Sequence, residues 1–167
     1  MADPDANPGP EPRVPTVNDL VSLCRSLNEA GARYMVIGGW AVIHHGFGRT
    51  TGDIDLLVDS SPENFARVQK AMLTLPDGAV REVQPGDLDK YVVVRVGDEI
   101  VVDLMKAACG IEYPEASTSI SRATIQGVEV PFANASLLLR LKQTYREKDA
   151  MDREFLRELL RKRDEKS

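Results

Sequence analysis

Residues 33–58 carry the clearest structural pattern in the chain and read RYMVIGGWAVIHHGFGRTTGDIDLLV. The apolar run at 33–37 predicts a short strand that ends at two glycines. Residues 40–45 predict a short helix, 46–52 a glycine-rich loop, and 53–58 a second strand. This second strand begins with a polar motif, although the rest of it is apolar.

Two acids, Asp53 and Asp55, form that polar motif. Side chains two residues apart in a strand leave by the same face, so these carboxylates lie side by side, while Ile54 and Leu56 point to the opposite, apolar face. Adjacent carboxylates repel each other and are costly to desolvate unless a cation pairs with them. Their oxygens favour a hard cation such as Mg²⁺. For an Asp-x-Asp pair taken alone, a solvated sheet face or a loop cap is the alternative.

A third acid, Asp103, interrupts an equally apolar stretch from Ile100 to Met105. If this strand pairs with the one that carries Asp53 and Asp55, three carboxylates meet, which is enough to bind two metal ions. An acid at the exposed end of an edge strand is the alternative.

The glycine pair, Gly38 and Gly39, follows an apolar strand and precedes a helix. Glycines at such a junction allow the backbone to approach a ligand closely, and a helix N-terminus offers free N–H groups to a phosphate. A tight turn without a ligand is the alternative for a glycine pair taken alone.

Helices are predicted at both ends of the chain and after the second strand. Thr16 and Asp19 resemble a capping box at the start of one helix, and Ser61-Pro62 starts another that runs to about Leu75. From Ala135 onward the pattern predicts two helices that break near Lys148-Asp149. The last helix carries a narrow apolar stripe, formed by Met151, Phe155, Leu159 and Leu160.

Two hairpins complete the predicted elements. Strands at about 90–96 and 99–105 surround Gly97-Asp98, and strands at 121–126 and 128–132 flank Gly127. Strands separated by helices, together with two hairpins, predict an α+β fold. Its mixed sheet is flanked by helices and followed by a C-terminal helical segment.

The composition excludes several classes of protein. The 167 residues are 43% hydrophobic with a net charge of −5, unlike a general nucleic-acid binder. No apolar run approaches the roughly 20 residues that span a bilayer, and no secretory signal is visible. Two cysteines are too few for a disulfide scaffold. We therefore expect a cytoplasmic domain that makes no membrane contact.

Proline and charge divide the chain into three predicted parts. Residues 1–15 contain five of the ten prolines and predict a disordered tail. Residues 16–134 form the predicted core, and residues 135–167 form C-terminal helices packed on it. Residues 140–167 carry a net charge of +3, so their cations are able to meet an anionic ligand at an acidic cleft.

A joint pattern links these features: Gly38-Gly39, thirteen intervening residues, Asp53-Ile54-Asp55-Leu56, and a later Asp103. This pattern resembles the nucleotidyltransferase superfamily, which includes DNA polymerase β and the minimal nucleotidyltransferases. The stretch Arg49-Thr50-Thr51-Gly52 before the acids resembles more closely the AbiEii-like bacterial nucleotidyltransferases. In those proteins an Arg and a Thr commonly precede the acid pair.

The C-terminal segment extends the resemblance. Lys142, Arg146 and the acids Asp149 and Asp152 resemble a helical motif of the AbiEii-like proteins. The resemblance implies that Lys142 contacts the nucleotide phosphates, with Arg146 as a second contact, while the two acids cap or orient the segment. Arg49 would reach phosphate or hold its loop through a salt bridge. A solvated position is the alternative for Lys142 and Arg146.

The resemblance implies a Mg²⁺-dependent transfer of a nucleoside monophosphate from an NTP to a hydroxyl group. Asp53, Asp55 and Asp103 would be the catalytic acids and hold the metal, and Asp103 would also help to take the hydroxyl proton. Gly38 and Gly39 would hold the terminal phosphates through backbone N–H groups. Many superfamily members carry Ser at the second of these positions, and this chain does not.

The acceptor stays open at this stage. It is an antibiotic-like small molecule, a tRNA end or a protein side chain, and the AbiEii-like resemblance implies a toxin-like role with a cognate antitoxin. Two alternatives come from other classes: a non-catalytic module on the same fold that binds an NTP or a partner, and an interaction domain in which the motif is accidental.

Overall fold

The structure is a computed structural model that describes residues 11–144 and 146–165. Its strands are β1 Tyr34–Ile37, β2 Asp53–Val58, β3 Val94–Gly97, β4 Val101–Met105, β5 Ala107–Ala108, β6 Ile111–Glu112, β7 Ile120–Ile125 and β8 Val128–Ala133. Its α-helices are α1 Val17–Glu29, α2 Gly38–His44, α3 Pro62–Met72, α4 Asp87–Lys90, α5 Tyr113–Ala116, α6 Ala135–Leu141 and α7 Glu147–Glu165. Short 3₁₀ turns occur at Ala79–Glu82 and Ser117–Ser119.

Six of these strands form one mixed sheet within the described residues, in the order β3-β4-β2-β1-β8-β7. Strand β2 runs antiparallel to β1 and parallel to β4, and β1 runs parallel to β8. The outer pairs, β3-β4 and β7-β8, are the two predicted antiparallel hairpins. The predicted α+β class with a mixed sheet and flanking helices is therefore confirmed.

Alternating burial fixes the register of the central strands. Ile54 and Leu56 on β2, and Val102 and Leu104 on β4, are fully buried in one apolar core. Full burial of one such side chain contributes about 1.5–3 kcal/mol. A shift of β2 by one residue would exchange these side chains for the carboxylates next to them, so the core holds the acids on the opposite face.

The helices pack in two groups around this sheet. Helix α1 packs against α3 and β8, whereas α2 contacts β1, β2 and α6, and α6 packs against α7. Two of the predicted helix starts are confirmed. Thr16 and Asp19 form a capping box on α1, and the hydroxyl of Ser61 accepts a hydrogen bond from the backbone N–H of Asn64.

The second helix begins two residues earlier than predicted. The glycines were expected to lie before the helix, but Gly38 and Gly39 are the first two residues of α2. Gly38 has φ +69°, a left-handed conformation that favours glycine. This conformation lets the chain pass from β1 into α2 without a loop.

The first predicted hairpin has shorter strands than expected, starting at 94 and 101 rather than 90 and 99. Residue 90, predicted to start the first of these strands, is instead the last residue of helix α4. At the turn, the buried carboxylate of Asp98 accepts hydrogen bonds from the backbone N–H groups of Asp77, Ala79 and Glu99. Residues 98–100 therefore wrap around this carboxylate and do not extend the strand.

Helix α6 ends at Leu141 and α7 begins at Glu147, so the break precedes Lys148-Asp149, where it was predicted. The guanidinium of Arg153 on α7 donates hydrogen bonds to the carbonyl oxygens of Lys142 and Thr144 beyond the end of α6, and the Lys142 carbonyl also accepts one from the N–H of Thr144. The predicted stripe on α7 is confirmed for Phe155, Leu159 and Leu160, which are half-buried against the core, and wrong for Met151, which is exposed. Leu156, which the predicted stripe did not include, is fully buried.

Part of the predicted division of the chain falls on residues that the structure does not describe. Residues 1–10 of the predicted tail, Tyr145, and residues 166 and 167 all lie outside them. In the described part of the tail, the guanidinium of Arg13 contacts the carboxylates of Asp19 and Glu99. Among the described helices, none is both long enough and apolar enough to cross a membrane.

Asn64 joins helix α3 to the strands that carry the glycines and the acids. Its fully buried amide accepts a hydrogen bond from the backbone N–H of Arg33 at 2.7 Å, and donates to the carbonyl oxygens of Arg33 at 3.0 Å and Asp59 at 2.7 Å. The start of β1 and the end of β2 are thus bridged by one side chain.

Replacing this side chain should destabilise the fold. We expect Asn64→Ala to lower the free energy of unfolding by about 2–4 kcal/mol, because it leaves backbone groups buried without partners. Urea unfolding followed by circular dichroism measures the change. The matched control is Asn18→Ala on α1, where an exposed Asn accepts one hydrogen bond from Gln126, and this variant should change stability by less than about 0.5 kcal/mol. Equal losses in the two variants would contradict the bridging role.

Candidate active site

Three carboxylates meet at the centre of the sheet. The parallel register of β2 and β4 places Asp55 directly opposite Asp103, and Asp53 is two residues before Asp55 on the same face. One carboxylate oxygen from each residue lies within 4.8 Å of the others. The structure therefore brings the three sequence-predicted acids together as a group able to hold a metal ion; we call this group the acidic triad.

Gly38 closes one side of the acidic triad. Its neighbour Ile37 is paired with Asp55 across β1 and β2, so the start of α2 lies against the Asp55 carboxylate. A Cβ atom at position 38 would lie 1.9 Å from Oδ2 of Asp55. Only glycine leaves room for this carboxylate, which is a second reason, besides the positive φ, for glycine at this position.

Gly39 is needed for a different contact. A Cβ atom at position 39 would lie 2.5 Å from Oγ1 of Thr51 and 3.0 Å from Nη2 of Arg49. The loop before β2 thus packs directly on the start of α2. The serine that many superfamily members carry at this position has no space here.

Burial and repulsion act together on Asp55. Burial, followed by the negative charges of Asp53 and Asp103, raises the pKa of Asp55 to about 7. The positive charges of Lys142 and Lys148 oppose this effect only in part. No described residue donates a hydrogen bond to the Asp55 carboxylate, so this acid lacks the pairing that would hold it ionised.

Arg95 on β3 is a residue of the site that sequence reasoning missed. Its Nε and Nη2 donate hydrogen bonds to Oδ1 and Oδ2 of Asp103 at 2.9 and 3.0 Å, and Nη2 also donates to Oδ2 of Asp53 at 3.1 Å. The hydrogen bonds to Asp103 raise the pKa of Arg95 above its ordinary value. The signal was weak, because Arg95 faces the triad only through the register of the hairpin, which pairs it with Asp103.

A cavity of about 280 Å³ opens beside the acidic triad. Asp55, Asp103 and Gly38 form one wall, and Lys142 and Arg146 line it from the C-terminal segment. The rest of the lining is mainly apolar and consists of Ile37, Val92, Val93, Met105, Ala107, Ala108, Leu138 and Leu141, with Cys109, Thr144 and Asp149. The cavity thus joins an acidic wall, a cationic wall and an apolar surface.

Lys142 belongs to a buried ionic cluster with Asp149, Asp152 and Arg49. Its Nζ lies 3.3 Å from Oδ1 of Asp149 and 2.9 Å from Oδ2 of Asp152, with the Lys142 side chain 8% exposed. Although burial alone would raise it, the hydrogen bond from Thr144 and the charge of Lys142 hold the pKa of Asp149 below its ordinary value. The two acids therefore fix the position of Lys142 at the edge of the cavity.

Arg49 lies on the other side of the same cluster. Its Nη2 donates to Oδ2 of the fully buried Asp152 at 2.9 Å, and its Nε approaches Oδ1 at 2.9 Å without the alignment of a hydrogen bond. This contact matches the loop salt bridge that the sequence left open for Arg49. Neither Arg49 nor Gly39 lines the cavity, so their predicted contacts with nucleotide stay predictions.

Arg146 lies at the mouth of the cavity. Its guanidinium is 3.8 Å from the Asp149 carboxylate and largely exposed. Lys142 and Arg146 thus line the same cavity as Asp55 and Asp103, and their contacts with phosphate stay predictions. Val92 and Val93, which sequence reasoning did not assign to the site, border the same cavity as exposed apolar side chains.

The chain matches the profile of a known protein family. The profile of the family described as "Nucleotidyl transferase of unknown function (DUF2204)" matches residues 16–167. The chain belongs to this family. The expected membership of the nucleotidyltransferases is therefore confirmed, and the closer likeness to AbiEii-like proteins is not part of this match.

Solved structures of low sequence identity share the fold. The lincosamide antibiotic adenylyltransferase LnuA, solved with lincomycin, superposes with a TM-score of 0.55 at 18% identity, covering 88% of this chain and 99% of that one. TM1012, a candidate nucleotidyltransferase from Thermotoga maritima, superposes with a TM-score of 0.52 at 15% identity, covering 90% and 93%. No curated protein sequence matches the chain significantly.

The contact between Gly38 and Asp55 can be tested by adding one methyl group. We expect Gly38→Ala to lower the free energy of unfolding by about 2–4 kcal/mol, because strain at positive φ is combined with a collision with the carboxylate. Gly31→Ala is the matched control: Gly31 has φ +72° and nothing within 4 Å of an added Cβ, so it should lose only about 1 kcal/mol. Chemical denaturation measures both, and equal losses would contradict the close packing of Gly38 on Asp55.

The raised pKa of Asp55 predicts how stability changes with pH in metal-free protein. Between its unfolded value of 3.8 and its folded value of about 7, the folded state binds more protons than the unfolded state, so this residue makes stability fall as pH rises through that window. Asp55→Asn should remove the loss and gain stability over wild type by about 1–4 kcal/mol at pH 8.

Urea unfolding at pH 4.5 and pH 8 in the presence of a chelator measures this difference. The matched control is Asp59→Asn, which alters an acid just beyond the same strand that pairs with Arg33. Its pKa is lowered rather than raised, because the hydrogen bonds from Ser61 and Arg33 outweigh the effect of burial. A pH profile of Asp55→Asn identical to wild type would show that Asp55 ionises normally.

Proposed function

We propose that this protein is a cytoplasmic, Mg²⁺-dependent nucleotidyltransferase that moves a nucleoside monophosphate from an NTP, with ATP as the first candidate, to a hydroxyl group. The observation that supports this most is the acidic triad at the edge of a cavity that Lys142 and Arg146 also line. Acids that can hold a cation and basic side chains that can meet phosphate face the same space. This is the charge pattern that a metal-bound triphosphate requires.

The donor set of the acidic triad fits a hard divalent cation. It consists only of carboxylate oxygens, which lie within 4.8 Å of one another. Burial and, after it, repulsion from the other two acids raise the pKa of Asp55, and a bound cation would relieve that repulsion. Bound at Asp53, Asp55 and Asp103, Mg²⁺ would neutralise the charge that develops on the phosphate oxygens during transfer.

The roles of the other residues follow from their places around the cavity. Lys142, held by Asp149 and Asp152, would contact the phosphates, and Arg146 at the mouth would provide a second contact. The backbone N–H groups of Gly38 and Gly39 at the start of α2 would contact the terminal phosphates, with Arg49 holding the loop behind them.

In the proposed reaction the acceptor hydroxyl attacks the α-phosphorus of the NTP. A new P–O bond to the acceptor forms, the bond between the α- and β-phosphates breaks, and pyrophosphate leaves. The hydroxyl proton passes to a carboxylate of the triad, a role that the superfamily resemblance assigns to Asp103. The enzyme thereby aligns the attacking and leaving oxygens and stabilises negative charge.

The apolar surface of the cavity favours a small hydroxyl-bearing acceptor over RNA or a protein side chain. Val92 and Val93 border it as exposed apolar residues, and Val92 is 85% exposed. An RNA acceptor would instead be held by cationic side chains contacting its phosphates. A solved protein of the same fold, LnuA, carries lincomycin, so lincosamides are a reasonable first set of acceptors to test.

A toxin-like role with a cognate antitoxin is a second form of the same proposal. The cluster of Lys142, Asp149 and Asp152 supports it, because these residues resemble the AbiEii-like motif and contact one another beside the cavity that Lys142 lines. The alternative of a non-catalytic NTP-binding module would keep the cavity and the fold without transfer. The presence of all three acids in one group argues against that alternative.

Transfer of label from α-labelled NTPs tests the proposal. The protein is incubated with each NTP, Mg²⁺ and separate pools of hydroxyl-bearing antibiotics, tRNA and cell-extract protein. We expect label in one pool, and Asp55→Asn should reduce the rate by about a hundredfold or more, because the charge that holds the cation is lost. Asp59→Asn should retain at least about half of the activity.

The outcomes distinguish the proposed functions. Label in the antibiotic pool supports the small-molecule acceptor, whereas label in tRNA or protein supports the toxin-like form. Mg²⁺-dependent NTP binding without any transfer would support a non-catalytic binding module and contradict the proposed enzyme. Neither binding nor transfer would overturn the proposal as a whole.

A further inference from the structure

Arg95 places a positive charge where the proposed metal would bind. Its guanidinium occupies both carboxylate oxygens of Asp103 and one of Asp53, at 2.9–3.1 Å. Asp55, the third acid, receives no such contact from the described residues. Two of the three acids therefore share one positive charge supplied by a side chain of the protein itself, and the third is not contacted by it.

This contact is one that a competing cation can break. The Arg95 side chain is 63% exposed and comes from β3, which lies at the edge of the sheet. The carboxylate of Asp103 is buried, but water and salt reach the guanidinium and screen its charge, so a cation that approaches from solvent meets this contact at its exposed end. By contrast, the Lys142 contacts with Asp149 and Asp152 are buried and have no comparable access to solvent.

A divalent cation and the Arg95 guanidinium compete for the acidic triad. Both interact with the oxygens of Asp53 and Asp103, and their positive charges repel at the short distance that shared partners impose. The guanidinium contacts Asp103 in a bidentate geometry, one hydrogen bond to each oxygen. Binding of the cation therefore opposes these contacts and favours outward movement of this arginine.

We propose that Arg95 is a resident counter-ion of the acidic triad, which the first divalent cation displaces and which thereby sets the metal affinity of the site. This inference rests on the proposed function, because it assumes that the triad is the metal site. Arg95 stabilises the metal-free protein by separating three like charges, and it weakens metal binding by the same contacts.

Removal of Arg95 should therefore raise the metal affinity of the protein and lower the thermal stability of its metal-free form. In Arg95→Gln the dissociation constant for Mn²⁺ should fall by about three- to tenfold, while the midpoint of thermal unfolding without metal should fall by about 1–4 °C. Arg95→Lys keeps the charge and loses the bidentate fork, so its metal affinity should lie between those of wild type and Arg95→Gln. A purely structural arginine would weaken metal binding when it is removed.

The experiment is a calorimetric titration of the full chain with Mn²⁺ and then Mg²⁺, in the absence of nucleotide. Thermal unfolding of the same samples is recorded in chelator and at saturating metal. Arg122→Gln is the matched control, because Arg122 is equally exposed, pairs with Glu129 at 3.6 Å, and lies on β7 at the opposite edge of the sheet. It should leave the metal affinity unchanged.

Each outcome decides the inference. Tighter metal binding by Arg95→Gln, with the control unchanged, supports it even if no acceptor is ever labelled, in which case only the proposed reaction fails. Unchanged or weaker binding by Arg95→Gln overturns it while leaving the metal site in place. Failure of wild type and variant alike to bind Mn²⁺ overturns both the inference and the metal-dependent part of the proposed function.

Discussion

The parallel pairing of β2 with β4 brings three like charges to one point of the sheet. Asp55 and Asp103 face each other across this pairing, and Asp53 lies beside them. Repulsion between these carboxylates opposes folding. The buried aliphatic residues on the other face of the same strands stabilise the strand pairing and so keep the carboxylates together. Arg95 and the raised pKa of Asp55 are the two ways in which the metal-free protein reduces the charge.

The acidic and the basic side chains of the cavity are held in place in two different ways. Its acidic wall is part of the sheet, where main-chain pairing fixes the side chains. Its basic side chains come from the segment between α6 and α7, which is not part of the sheet. There an ionic cluster, rather than main-chain pairing, fixes the position of Lys142. Lys142 is held there by two acids, and Arg49 ties one of them to the loop before β2.

Much of the fold and the acidic part of the site were accessible from the sequence. The position of β2 followed from an apolar run interrupted by two acids, and that of α1 from a capping box. Three acids within apolar strands were expected to need a common reason for their positions. Register was harder to predict. A two-residue turn at Gly97-Asp98 would have put Arg95 on the face away from Asp103, and the wider turn around Asp98 reverses this.

Ion pairs between residues far apart in the sequence were equally impossible to predict from local sequence patterns. Nothing near Arg49 in sequence indicates that its partner is Asp152 on α7, since only the folded chain brings them together. The likeness of both segments to one family suggested that they act together, but not that they touch. The helix start at Gly38 was missed because glycines usually mark turns, whereas here close packing on Asp55 selects them.

The link between Arg49 and Asp152 also affects the order in which the molecule can be completed during synthesis. The acids and glycines leave the ribosome long before α7, so the nascent chain has its carboxylates before the groups that complete the basic wall. Until α7 docks, Arg49 lacks its buried partner and Lys142 lacks both of its acids. The ionic cluster that positions Lys142 at the cavity is therefore complete only after α7 has been synthesised and has packed on the rest of the chain.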